Sequence, residues 1–271
     1  MSEKPELRGA RLETEGRIAR LVLDRDDVRN ELTGTKLYEA IVETVDWINS
    51  GEEISVLVIT GTGKSFSAGG NVKDMHERRG AFDGDVYELQ AKYRTGIQMM
   101  ATAMHRLDVP SIAQINGAAI GAGLDLACMC DLRIASETAR LGETFVNLGI
   151  IPGDGGAWFL QRLIGYQKAA ELTFTGRLID AREAMQLGIL LDVVPAEKLA
   201  GRVNALAKEI AAKPPRALRL TKRLMKNAQR LELDDFLDVC AVFQGMSHHT
   251  ADHGEAVDAF LSKRNPRFSG R

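Results

Sequence analysis

SVLVITGTGKSFSAGGNVKDM, residues 55–75, is the stretch that decides the fold. It opens on Ser55-Val56-Leu57-Val58-Ile59-Thr60, a short β-branched run that suits a buried strand. Gly61 bounds the run, and the glycine-rich turn Ser67-Ala68-Gly69-Gly70-Asn71 then enters a short helix. The same order returns in SIAQINGAAIGAGLDLACMC, residues 111–130. There a buried strand over 111–116 is followed by the glycines of 117–123 and a helix from about Leu124 to Cys130. A third strand follows at 132–135. Strand, glycine turn and helix, twice over, predict an α/β fold of stacked turns.

Outward from this centre, residues 11–24 alternate about Glu15-Gly16 and read as a hairpin. Leu37, Ile41, Val45 and Ile48 give an amphipathic helix over 33–48, with Thr33 or Thr35 as its cap. A polar segment, 76–86, reads as a mobile loop, and 87–106 are helical in pattern. Past Pro195 the pattern is helical throughout, at 196–212, 215–229, 233–246 and 252–263, with Lys213-Pro214-Pro215 as the break. The expected division is a core domain over 1–196 and a C-terminal helical region over 197–271.

Composition narrows the function classes. In 271 residues, 35 basic and 37 acidic side chains leave a formal charge of −2, so no polyanionic partner such as nucleic acid is expected. Three cysteines make no disulfide framework, and Cys128 with Cys130 lacks the second ligand pair of a zinc site; buried thiols and no metal are expected. The N-terminal MSEKPELRGARLETEG has no apolar core of a signal, and no run approaches the ~18 apolar residues of a membrane span. A soluble, cytoplasmic protein is expected. His248, His249 and His253 read as solvent-facing, and Trp158, Phe159, Tyr166 and Phe174 as core or pocket wall.

The candidate chemistry lies in the two glycine turns. A backbone amide approaches an oxygen closely only where no side chain intervenes. One N–H from Ser67-Ala68-Gly69-Gly70-Asn71 and one from Gly121-Ala122-Gly123, which opens a helix, would make a paired oxyanion site. Plain strand-to-helix turns account for the same glycines. Neither turn has the spacing of a dinucleotide or phosphate loop. Three acids stand nearby in sequence. Asp125 is early in a helix, Glu143 lies in LGETFV, and Asp154 is flanked by glycines that let it project into a site. Each also fits a structural role, as a helix-terminal, surface or turn acid.

Five segments held in order resemble the crotonase family, the enoyl-CoA hydratase/isomerase superfamily. They are VLVITGTGKSFSAGGNVKDM, SIAQINGAAIGAGLDLACMCDLRIAS, LGIIPGDGGAWFLQRLIG, AAELTFTGRLIDAREAMQLGILLDVVP and GEAVDAFLSKRNPRF. With the hairpin they span nearly the whole chain. The resemblance implies a spiral of ββα turns with a C-terminal helical region, assembled as a homotrimer or a dimer of trimers. It implies an acyl-CoA substrate, with coenzyme A carried by that substrate and no separate cofactor. Gly70 and Ala122 become the oxyanion donors for a thioester carbonyl. Ala68, Gly70, Asn71 and Val72 lie along the CoA, and Lys73 and Lys263 reach its phosphates. Hydratases of the family use two glutamates, because hydration needs one group for water and one for the proton at Cα. Here Asp125 holds the first position and Phe145 the second. Glu143 and Asp154 are the candidates to replace the missing acid, and relatives with other chemistries carry an aspartate at or beside Asp154. The expected reaction is hydration or dehydration of a 2-enoyl-CoA, or double-bond isomerisation. Thioester hydrolysis or carbon–carbon chemistry through Asp154, and a non-catalytic CoA-binding scaffold, are the alternatives.

Overall fold

The computed structural model describes residues 3–271. Its elements begin with the hairpin β1 (Ala10–Glu15) and β2 (Ile18–Leu23), helix α1 (Leu37–Asn49), β3 (Val56–Gly61), β4 (Ser65–Ser67) and α2 (Val72–Glu77). They continue with α3 (Val86–Thr95), α4 (Ile97–Arg106), β5 (Ser111–Ile115), β6 (Ala118–Ile120), α5 (Ala122–Met129), β7 (Leu132–Ser136) and β8 (Arg140–Gly142). Next come α6 (Gly156–Ile164), α7 (Tyr166–Thr175), β9 (Leu178–Asp180), α8 (Ala181–Leu187) and β10 (Asp192–Val194). The chain ends in α9 (Ala196–Ala211), α10 (Pro215–Asn227), α11 (Leu233–His248) and α12 (Ala251–Leu261). Three ββα turns follow one another: β3-β4-α2, β5-β6-α5 and β7-β8-α6.

The long strands of these turns stack in one sheet, ordered β1-β2-β3-β5-β7-β10 and parallel except for the hairpin. The short strands make a second sheet, β4-β6-β8-β9, with β9 antiparallel. Strand periodicity explains how β3 is buried on both faces. Leu57 and Ile59 face the main core with α1, while Val56 and Val58 face Leu199, Val203 and Ala207 of α9. Farther along, α10 ties the C-terminal helices down through buried cations. Arg219 donates to the carbonyls of Ile48, Gly51 and Ile54, and Lys222 donates to the Val109 carbonyl and to Asp131. A buried charge kept in hydrogen bonds of this kind is costly to remove. By contrast, α11 has no buried residue.

Several sequence expectations shift. Helix α1 begins at Leu37, not near Thr33: Thr33 accepts from the Asn71 amide, while Thr35 donates to the Glu31 carbonyl and accepts from the Leu37 N–H at 3.3 Å, at the start of the helix. Both glycine turns contain a short strand, β4 or β6, which glycines at each end hid from the apolar pattern. The helical pattern of 87–106 is two helices, broken at Gly96, whose φ and ψ of −112° and −117° are not helical. Cys128 and Cys130 are buried as expected, and burial pushes both thiols up to about 12.

Candidate active site

β4 and β6 lie side by side, so the glycine turns that follow them touch. Gly69 adopts φ +81°, and a Cβ there would lie 2.4 Å from the Ile120 carbonyl oxygen and 3.0 Å from the Ala122 nitrogen. A Cβ at Gly123 would lie 2.2 Å from the Ser67 carbonyl oxygen. Only backbone without side chains packs this closely. Gly70 and Ala122 thereby line one cavity, of about 340 Å³. Ala122 is the first residue of α5, where an amide has no intrahelical acceptor and the helix dipole is positive. Among the described residues, neither the Gly70 nor the Ala122 amide has an acceptor. The next amide is held: Asn71 N–H donates to Thr33 Oγ1 at 2.8 Å, which fixes the peptide plane after Gly70.

Asp125, Glu143 and Asp154 come together behind this wall. They are 0%, 1% and 3% exposed, and no N–H or O–H group of another residue reaches their carboxyl oxygens. Asp125 lies so close to the start of α6 that a Cβ on Gly156 would fall 2.1 Å from its Oδ1. Of the three, Asp154 lines the cavity and the other two do not. Burial, with the charges of Asp154 and Glu143, raises Asp125 well above the usual carboxylate range. Burial also raises Glu143 and Asp154, against the opposing influence of Asp125 beside them. Two carboxyl groups form a hydrogen bond only if one holds a proton. Three carboxyl groups this close cannot all be ionised, and burial favours the protonated form at each, most of all at Asp125.

The rest of the wall is mostly apolar: Ile97, Ile120, Phe145, Leu148 and Ile150, with Phe82 from the 80–84 segment. Lys92 holds that segment by donating to the Gly80 and Asp83 carbonyls. Among the CoA candidates, Ala68, Gly70 and Val72 line the cavity; Asn71 caps α2 through Asp74 N–H, and Lys73 and Lys263 lie outside the wall. Tyr166 and Phe174 are each 71% exposed, so they are neither core nor pocket wall. Trp158 is on the surface too, with the Arg162 guanidinium 3.8 Å above its ring. His248 and His253 bond each other at 3.0 Å on an exposed face, and among the described residues no group of three His, Cys, Asp or Glu side chains is arranged to hold a metal ion. Tyr93, Tyr38 and Gln98 were not read as site residues. Tyr38 on α1 and Tyr93 on α3 line the cavity, and Gln98, just past the break at Gly96, bonds the Gly153 carbonyl at 2.7 Å; a single glycine within the helical pattern of 87–106 was the one signal near the latter two.

Two unpaired amides and one acid border an apolar cavity on a spiral of ββα turns, an arrangement able to hold negative charge developing on an oxygen. The family model for enoyl-CoA hydratase/isomerase matches residues 13–271, and the chain belongs to that family. It is 34% identical over 259 residues to crotonyl-CoA hydratase of Syntrophomonas wolfei, covering 95% of this chain and 96% of that protein. It is 32% identical over 251 residues to 1,2-epoxyphenylacetyl-CoA isomerase of Escherichia coli, covering 93% and 94%. The crystal structure of an enoyl-CoA hydratase from Bacillus anthracis superposes with a TM-score of 0.90 at 33% identity, covering 97% of this chain and all 100% of that one. The fold is thus the crotonase fold, and the family is one of lyases and isomerases.

Proposed function

We propose that this enzyme moves a proton on the acyl group of an enoyl-CoA through a thioester enolate, and that its cavity favours double-bond isomerisation. The supporting observation is that Asp154 reaches the cavity while Asp125 and Glu143 stay behind it. Asp154 carboxylate takes a proton from Cα of a 3-enoyl-CoA. The electron pair moves onto the thioester oxygen, where the Gly70 and Ala122 N–H groups hold the negative charge. Return of the same proton to Cγ places the double bond at C2–C3. One base suffices for this sequence, whereas hydration asks for a second group to handle water. Hydration is the second reading, supported by the likeness to crotonyl-CoA hydratase.

Coenzyme A enters as part of the substrate and the chemistry asks for no other cofactor. Ala68, Gly70, Asn71 and Val72 would follow its pantetheine arm, and Lys73 and Lys263 would meet its phosphates through charge-assisted bonds. Exposed apolar residues on α11 and α12, among them Leu233, Leu237, Met246 and Phe260, favour assembly into a homotrimer or a pair of trimers. We place the enzyme in the cytoplasm, in fatty acyl metabolism.

Incubation of 2- and 3-enoyl-CoAs in D2O, with products resolved by mass and NMR, tests the reaction. Unchanged carbon skeleton, a moved double bond and partial retention of the original proton are expected. Net addition of water with no double-bond movement refutes isomerisation, and release of free CoA refutes both readings.

A further inference from the structure

Two donors in the cavity have unfilled capacity. Tyr93, near the end of α3, lines the cavity and is half buried, and no group among the described residues accepts from its hydroxyl. Its ring lies against the backbone that carries Asp154: a Cβ on Gly153 would come 3.1 Å from Tyr93 Cε1. Gln98 holds the carbonyl of the same glycine, so ring and acid are fixed to one rigid point. Burial, and then the charge of Asp154, push the phenol's ionisation upward, which keeps it a donor. Beside it, Lys92 uses two of its three N–H groups on the Gly80 and Asp83 carbonyls. No acid among the described residues pairs with its charge.

Water can satisfy both donors while the cavity is open. A ligand that fills an apolar chamber displaces that water, and a hydroxyl sealed in without an acceptor is unfavourable. Sites built to bond a substrate oxygen reject the analogue without it. We infer that the acyl group taken by this enzyme carries an acceptor oxygen beyond the thioester, held by the Tyr93 hydroxyl beside Asp154. The oxygen belongs to a hydroxyl, a carbonyl or a carboxylate; for a carboxylate, the third N–H of Lys92 adds its charge. This rests on the reading of the cavity as the acyl-CoA site.

Calorimetric binding of saturated acyl-CoAs separates the two. Hexanoyl-CoA is compared with six-carbon acyl-CoAs bearing a hydroxyl or oxo group at C4, C5 or C6, and with adipoyl-CoA. At least one oxygenated compound is expected to bind about tenfold tighter than hexanoyl-CoA, the worth of one well-made hydrogen bond. Tyr93→Phe, checked for folding by its melting temperature, brings that ratio close to one. Lys92→Met lowers the ratio for adipoyl-CoA and not for the alcohols if the oxygen is a carboxylate's. Equal binding of plain and oxygenated compounds by the wild type overturns the inference. So does an equal loss for all compounds in Tyr93→Phe, which would make the phenol a holder of cavity shape or of a common water. Failure of every acyl-CoA, hexanoyl-CoA included, overturns the active-site reading itself.

Discussion

Ala122→Pro deletes one oxyanion donor while asking little of the fold. Ala122 is the first residue of α5, and proline suits that position because its amide lacks an intrahelical partner in any case. The residue before it, Gly121, sits at φ +52° and ψ −123°, a region open to glycine, so the usual restriction on a side-chain-bearing residue before proline does not apply. The loss falls on the transition state. The ground-state carbonyl is weakly charged and the enolate oxygen carries most of a full charge, in a chamber with largely apolar walls. Removing one donor of an oxyanion pair costs about 10²–10³ in kcat, or roughly 2.7–4 kcal/mol. Gly70 keeps its own amide and leaves a residual rate above the variant lacking Asp154. The assay is steady-state conversion of a 3-enoyl-CoA followed at the absorbance of the conjugated thioester, with urea unfolding as the control for fold. A folded variant whose kcat stays within about threefold of the wild type would refute the oxyanion assignment.

Asp154→Asn keeps the size of the side chain and removes the base; kcat is expected to drop by about 10²–10⁴, measured in the same conversion assay. The raised carboxyls also predict how stability depends on pH. The folded state holds protons that the unfolded chain releases near pH ~4. The trio's contribution to stability is therefore greatest in acid and falls as pH rises from there to the raised folded values, then levels off. The difference in urea midpoint between wild type and Asp125→Asn should shift against the wild type across that window. Gly156→Ala would drive a methyl group into the Asp125 carboxyl, 2.1 Å away; overpacking of about 1–3 kcal/mol is expected in the unfolding free energy, with loss of activity. Thr33→Val leaves the Asn71 amide without its acceptor; an effect near 1 kcal/mol, about fivefold in rate, is expected in kcat more than in KM.

Much of the scaffold was legible because β-branched runs and glycines act locally. Val56–Ile59 is apolar on both faces, and a strand between α1 and α9 requires that. β4 and β6 were not legible, since three residues between glycines carry too little pattern to separate a strand from a turn. The break at Gly96 escaped for a different reason: a single glycine is tolerated in many helices, and only packing decides whether it ends one. The two glycine turns that meet at the cavity were readable from their glycines. The rank order of the acids was not, because burial of Asp125 depends on Gly156, thirty-one positions away in sequence, and nothing near either residue reports the other.

The position of Phe145 explains why a single acid reaches the cavity. After β8 the chain turns through Thr144, at φ −91° and ψ 8°, into a 3-10 turn over Phe145–Leu148. That turn breaks the strand's alternation, so Glu143 and Phe145 do not share a face as they would in an extended chain. Phe145 meets the cavity and reaches the oxyanion turn, where a Cβ on Gly121 would lie 3.6 Å from its Cζ. Glu143 goes inward, where its carboxyl can find only Asp125 and Asp154. An ionised trio there would be prohibitively repulsive in a low-dielectric interior, and no buried cation bonds it. Retaining protons resolves the repulsion, and Asp125, the most completely buried, retains one most firmly. Glu143 and Asp125 thus stand behind Asp154, which alone of the three lines the cavity.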